Sequence, residues 1–141
     1  ALIRRIHEAK DFGAEEVVIW GSGSPRREFL YSDDLAEACI LLLENLELLE
    51  SQLFCEDKPP IVNVGVGHDL EISELAMRIC EIVGFKGKLV FDKTKPDGTP
   101  RKLLDSSRIN GLGWTPKTPL KIGLPIVYDE YLSTEKTRSI V

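Results

Sequence analysis

The chain has 141 residues, about one domain's worth, with 43% apolar and 29% charged residues, ordinary proportions for a water-soluble fold. Its net charge of −5, with no basic run or basic-aromatic pattern, excludes a nucleic-acid binder. The longest apolar stretch, Ala38 to Leu43, is far too short to span a bilayer.

Leu2, Ile3, Ile6 and Ala9 form one stripe of an opening helix, with Arg4, Arg5 and Lys10 off it. The chain starts in this helical pattern and without a methionine. It is therefore expected to lack a signal peptide and to be cut from something longer, or else processed. Val17 to Trp20 reads as a β-branched strand. Gly21, Gly23 and Pro25 then make a tight loop that carries Arg26 and Arg27. Phe29, Leu30 and Tyr31 are expected as a short strand, and Asp33 and Asp34 as the N-cap and first turn of the next helix.

That helix is expected from Asp34 to about Leu49. Leu35, Cys39, Leu42, Leu43, Leu46 and Leu49 recur at spacings of three and four, and further apolar residues fill most of its circumference. Such a helix is expected to be covered on two sides. Glu50 to Pro60 reads as a mobile loop. The run IVNVGV, Ile61 to Val66, lacks alternation and is expected as a strand buried on both faces, as in parallel sheets.

A helix is expected over Ile72 to Val83, with Glu71 and Glu74 favouring its dipole and Gly84 stopping it. Leu89 to Phe91 is another strand. KPDGTPRKLLD, Lys95 to Asp105, is dense in turn formers and cations. Ser106 to Leu112 can form a short helix ended by Gly113. Leu120, Leu124, Val127, Tyr128 and Tyr131 define a last helix that Pro125 should kink or delay, with a frayed tail from Ser133. Strands and helices roughly alternate, so the class is α/β.

Cys39, Cys55 and Cys80 are odd in number, contain no Cys-x-x-Cys, and Cys39 and Cys80 fall on apolar helical faces. That is intracellular usage, with free thiols acting as small hydrophobes. His7 and His68 have no second ligand at metal spacing.

Three cation clusters could meet an anion: Arg4 with Arg5, Arg26 with Arg27, and Arg101 with Lys102. An arginine bonded to a phosphate contributes about 1.5–3 kcal/mol. The plain alternative is that one member of each pair is merely solvated. Trp20 is either core or a stacking plate for a base or sugar. Asp97 either makes an Asx turn or accepts a hydrogen bond from a ligand hydroxyl or amine. Neither Gly65-Val66-Gly67 nor Gly21-Ser22-Gly23 completes a dinucleotide fingerprint: Leu70 and Arg26 stand where the third glycine belongs. There is no Tyr-x-x-x-Lys and no nucleophile elbow. The chain reads as a binding surface without its reaction centre.

WGSGSPRREFLYSDD, Trp20 to Asp34, resembles a segment of the extended short-chain dehydrogenase/reductases that act on nucleotide sugars. KPDGTPRKLLD, ALIRRIHEAK and NVGVG narrow the resemblance to the epimerase/reductases that use GDP-sugars, over nearly the whole chain. The resemblance implies the carboxyl-terminal portion of such an enzyme: a small substrate-binding lobe plus a strand and helices that complete the Rossmann sheet. Residues 1–141 would be the substrate-binding portion, and the NADP-binding portion with its Ser/Tyr/Lys group would lie upstream. By resemblance Arg5, Trp20, Arg27, Asp97 and Lys102 contact the GDP-sugar, Arg26 does not, and this segment holds no catalytic residue. The implied reaction is epimerisation at sugar carbons three and five, then hydride delivery from NADPH to carbon four. The implied setting is a cytoplasmic homodimer with no nucleic-acid or membrane partner. The isolated segment is expected to be inactive and to expose apolar surface. The alternatives are another nucleotide-sugar epimerase or dehydratase, a non-catalytic nucleotide-sugar binding module, and a structural or interaction domain.

Overall fold

The computed structural model describes residues 2–45 and 59–138, with side chains described as far as residue 134. Leu46, Leu49, Cys55 and most of the expected 50–60 loop lie outside the described residues. The chain divides into two compact units.

The first unit comprises Ala1–Arg27, Leu70–Lys102 and Lys121–Val141. Helix α1, Leu2–Asp11, buries Ile6 and Ala9. It ends at Gly13, whose φ of 63° is a left-handed turn. Strand β1, Glu16–Trp20, alternates, with Val17 and Ile19 inside and Glu16, Val18 and Trp20 outside. It pairs in parallel with β4, Lys88–Asp92, from Glu16 opposite Lys88 to Trp20 opposite Asp92. Helix α3, Ile72–Val83, turns Leu75, Ala76, Ile79 and Val83 inward. Gly84 caps it with φ 74°, giving its N–H to Cys80 and Glu81. Lys10 Nζ reaches the Val83 carbonyl at 2.8 Å and satisfies another orphan acceptor of that last turn.

A second, three-stranded sheet has the order β3–β2–β5: Leu70–Glu71, Arg26–Arg27 and Arg101–Lys102. β3 runs antiparallel to β2, and β5 parallel to it. The loop before β2 serves the start of α3. The Pro25 and Gly23 carbonyls accept from the N–H groups of Ile72 and Ser73 at 3.0 and 2.9 Å. Those donors would otherwise be orphans, since the N-cap Glu71 makes no side-chain cap bond.

Helix α5, Leu120–Arg138, contains Pro125 and buries Leu124 and Tyr128. Pro125 does not delay it, and the helix runs past Ser133, where fraying was expected, to Arg138, with residues 139–141 outside the described residues. Ser133 and Thr134 hydroxyls instead bond back to the Asp129 and Glu130 carbonyls at 2.9 and 3.0 Å. His7 joins α1 to this helix by an Nδ1–Tyr128 Oη hydrogen bond of 3.0 Å and an edge contact with Tyr131.

The second unit comprises Glu28–Asp69 and Leu103–Leu120. Helix α2 runs over Ser32–Glu44, and short α4 over Ser107–Gly111. Ala38, Ile109 and Trp114 form the core, with Leu30, Leu41, Leu42, Val62 and Val64 packed on it. Asp34 is buried and accepts from Lys117 N, Thr118 N and Thr118 Oγ1 at 2.9–3.2 Å. It is therefore a clamp on residues 117–118, and the N-cap of α2 is Tyr31.

Four expectations for this unit and its border change. Only Arg26–Arg27 form a ladder, and Phe29 to Tyr31 do not; Leu30 buries its side chain on the core without one. Ile61 to Val66 also lies outside any ladder, and Ile61 is 61% exposed. Its apolar residues pack on the core from one side, because no described strand pairs with it. Helix α2 is not covered on two sides: Leu35, Ile40 and Leu43 stay exposed. Cys39 is exposed too, beside the buried stripe of Asp34 and Ala38 and not within it.

Candidate functional site

Two loops of the first unit meet at the carboxyl ends of β1 and β4. The first, residues 20–25, leaves β1 at Trp20. Gly21 donates its N–H to the Asp92 carbonyl at 3.0 Å. It has φ +86°, and a Cβ there would run into Asp97 Oδ1. Glycine is required on both counts. The second loop begins with an Asx turn: Asp92 Oδ1 accepts from Thr94 N and Oγ1 at 3.0 and 2.6 Å. It passes through Lys95, Asp97 and Gly98 to Pro100, whose carbonyl accepts from Arg26 N at 2.7 Å.

The ladder sorts the cations by face. Arg26 is the register partner of Glu71 and Arg101, and Arg27 of Leu70 and Lys102. Successive residues of a strand point to opposite faces. One face therefore carries Glu71, Arg26 and Arg101, and Arg26 Nη1 lies 3.7 Å from the Glu71 carboxylate. The other carries buried Leu70, half-buried Arg27 and exposed Lys102. Among the described residues neither Arg27 nor Lys102 forms an ion pair. Among the described residues Arg27 Nη1 donates to the Arg26 carbonyl alone, at 2.6 Å. Like charges side by side on a sheet destabilise it, and an anion laid across both cations would relieve that repulsion.

Trp20 is 68% exposed, so it is not core. Lys95 Nζ stands 5.7 Å above its ring centroid. Asp97 makes no Asx turn of its own. Its Oδ1 accepts from Ser22 N at 2.8 Å and its Oδ2 from Ser22 Oγ at 2.7 Å. These bonds, the side-chain one first, hold its carboxyl below the usual range. Gly98 lies under the Arg27 guanidinium, 3.3 Å from Nη2 for a Cβ built there. Trp20, Asp97, Arg27 and Lys102 are thus joined by a short series of contacts. Arg5 stands further back: its Nη1 donates to the Val18 carbonyl at 3.0 Å, two residues before Trp20 on β1. Of the other cations, Arg4 is paired with Glu8 at 2.7 Å. Ser22 and Glu28 were not legible as site or clamp residues, since their partners lie 39 to 76 positions away.

The two glycine pairs do not fit a dinucleotide. A Cβ on Gly65 would lie 2.6 Å from the Glu28 carboxylate, which also takes the Gly67 N–H at 2.7 Å. A fixed carboxylate there repels a pyrophosphate. Gly23 is filled by the Phe91 ring, and a strand follows it where a helix would be needed.

Residues 1–65 match the NAD dependent epimerase/dehydratase family. The chain is 57% identical over 132 residues to GDP-L-fucose synthase 1 of Arabidopsis thaliana, covering 94% of this chain and 38% of that protein. It is 47% identical over 138 residues to GDP-L-fucose synthase of Escherichia coli K12, covering 96% and 42%. It also superposes on the crystal structure of a GDP-L-fucose synthetase from Naegleria fowleri bound to NADP. There the TM-score is 0.77 and the identity 27%, over 96% of this chain and 40% of that one. The family match covers residues 1–65, and the likeness to the two synthases runs over nearly the whole chain. The chain spans about two fifths of the length of these two curated GDP-L-fucose synthases.

Proposed function

We propose that residues 1–141 are the carboxyl-terminal, substrate-binding portion of a GDP-L-fucose synthase. The complete enzyme would convert GDP-4-keto-6-deoxy-D-mannose to GDP-L-fucose. The observation that carries this reading is the pair Arg27 and Lys102, in register and without a carboxylate partner among the described residues. In this reading they straddle the diphosphate. Trp20 offers its exposed ring to the base or sugar. Asp97 accepts from a ligand hydroxyl or amine, and Arg5 adds positive charge behind Trp20. These groups bind and orient a reactive ketone; they supply no acid, base or hydride. NADP would serve the complete enzyme, bound mainly by the portion upstream of these residues, whose glycine pairs do not fit a dinucleotide. The enzyme is taken as a cytoplasmic homodimer. No helix among the described residues is long and apolar enough to cross a membrane.

The test is turnover by the complete enzyme with GDP-, UDP- and dTDP-linked 4-keto-6-deoxy sugars. A strong preference for the GDP-sugar, lost on Arg27→Ala, supports the reading. Equal handling of all three, or indifference to Arg27→Ala, refutes it.

A further inference from the structure

Resting on that reading of the site, we propose that Ser22 is a positioning residue: with Ser24 behind it, it fixes the Asp97 carboxylate in the orientation from which Asp97 meets the ligand. The proton order of the group is forced. A carboxylate only accepts, so the Ser22 hydroxyl proton is spent on Asp97 Oδ2 at 2.7 Å. Ser22 Oγ meanwhile accepts from Ser24 N at 3.1 Å. The 2.6 Å contact between the two hydroxyls must then be Ser24 donating to Ser22. Ser24, Ser22 and Asp97 form a one-way chain of donors in which each bond polarises the next.

The attachment is two-pronged. Ser22 N and Oγ hold different oxygens of one carboxylate, at 2.8 and 2.7 Å, which stops its rotation. Any residue would supply the N–H, but only serine or threonine also supplies the hydroxyl. Gly21 makes the approach feasible, since no Cβ fits between position 21 and Asp97.

The carboxylate remains exposed, and of its roughly four acceptor positions two are filled. The charged groups around it are Lys95, engaged over Trp20, Arg27, lying over Gly98, and Asp92, which faces Thr94. Among the described residues no cation pairs with Asp97. Its charge is therefore held by hydroxyl and amide donors, which leave it available to a ligand, where a salt bridge would quench it.

The experiment measures KM, kcat and the pH profile of kcat/KM for GDP-4-keto-6-deoxy-D-mannose in the complete enzyme. Ser22→Ala is expected to raise KM about tenfold, with kcat nearly unchanged. It should also move the acid limb of kcat/KM to higher pH, because Asp97 loses the donor that favours its ionised form. Ser22→Thr should restore both. Ser24→Ala should shift both in the same direction by a smaller factor, and it decides the matter should Ser22→Ala fail to fold. An unshifted acid limb and KM in folded Ser22→Ala, or in Ser24→Ala in that event, overturns the proposal. So does an Asp97→Asn enzyme with unchanged KM, since Ser22 would then have nothing to position. An unaltered enzyme inert toward the GDP-sugar overturns the reading of the site itself, a result distinct from either.

Discussion

Arg27 and Lys102, 75 residues apart in the chain, are register partners in adjacent parallel strands. Their neighbours Arg26 and Arg101 face the other way, on the side that holds Glu71. One face of the small sheet is neutralised in part and the other is not. Removing a cation from the unpaired face should therefore weaken anion binding, while relieving repulsion in the empty protein. Arg27→Ala in the complete enzyme is expected to lower kcat/KM for the GDP-sugar by about 1.5–3 kcal/mol, roughly 10- to 160-fold. Lys102→Ala should act in the same direction and less, because its compact ammonium lacks the bidentate fork. Arg26→Ala should change kcat/KM little. Steady-state kinetics of the three variants check the order.

Gly21 and Gly13 both have positive φ, 86° and 63°, but their surroundings differ. Nothing lies within 4 Å of a Cβ built at Gly13, whereas at Gly21 it meets Asp97 Oδ1. Gly13→Ala is expected to cost only the left-handed backbone, about 1–2 kcal/mol. Gly21→Ala should cost more, since the carboxylate must also move, and it alone should raise KM for the GDP-sugar. Paired thermal melts and KM values check this; equal effects at the two positions would contradict it.

Asp34 is the buried anchor of the second unit, 3% exposed and accepting from three donors of residues 117–118. Alanine would leave two part-buried N–H groups of residues 117–118 without their acceptor. Asp34→Ala is expected to destabilise the complete enzyme by about 2–4 kcal/mol, read as a lowered denaturation midpoint. Asp34→Asn keeps one acceptor but turns an N–H group toward other N–H donors, so it should rescue only part of the loss.

What could be read from the residues alone follows from how local each signal is. Helix α3 came out at Ile72–Val83 as expected, because its stripe and its glycine stop act within a few residues. Strand β1 was legible for the same reason. Ile61 to Val66 misled, because an uninterrupted apolar run records burial, and a ladder also needs a partner strand that composition does not reveal. Asp34 was legible in part, since it does lie in the first turn of α2. Aspartate before an apolar run is a capping signal, yet its real partners lie 83 and 84 residues on. The cation clusters were visible as pairs. Which member of a pair is neutralised depends on register, so residue types alone did not separate Arg26 from Arg27; the family resemblance did, and the structure sets Glu71 beside Arg26.

The Asp97 carboxyl is held below its ordinary range by Ser22, so the latch between the two loops has a defined acid response. A group with a depressed folded value stabilises the folded arrangement above the unfolded carboxylate value, near pH 3.9. That contribution is lost as pH falls through the lower folded value. The latch should thus stay closed through mildly acid conditions and open only below about pH 4. Trp20 reports on it, because its partner Lys95 lies two residues from Asp97. The 141-residue chain, in which the test is made, has two tryptophans. In a Trp114→Phe background the remaining emission should be flat from neutral pH to about 4 and change below that. In Asp97→Asn the acid step should vanish, since no carboxylate remains there to titrate. A step of the same size and midpoint in Asp97→Asn would assign the titration to another group and detach the latch from Ser22.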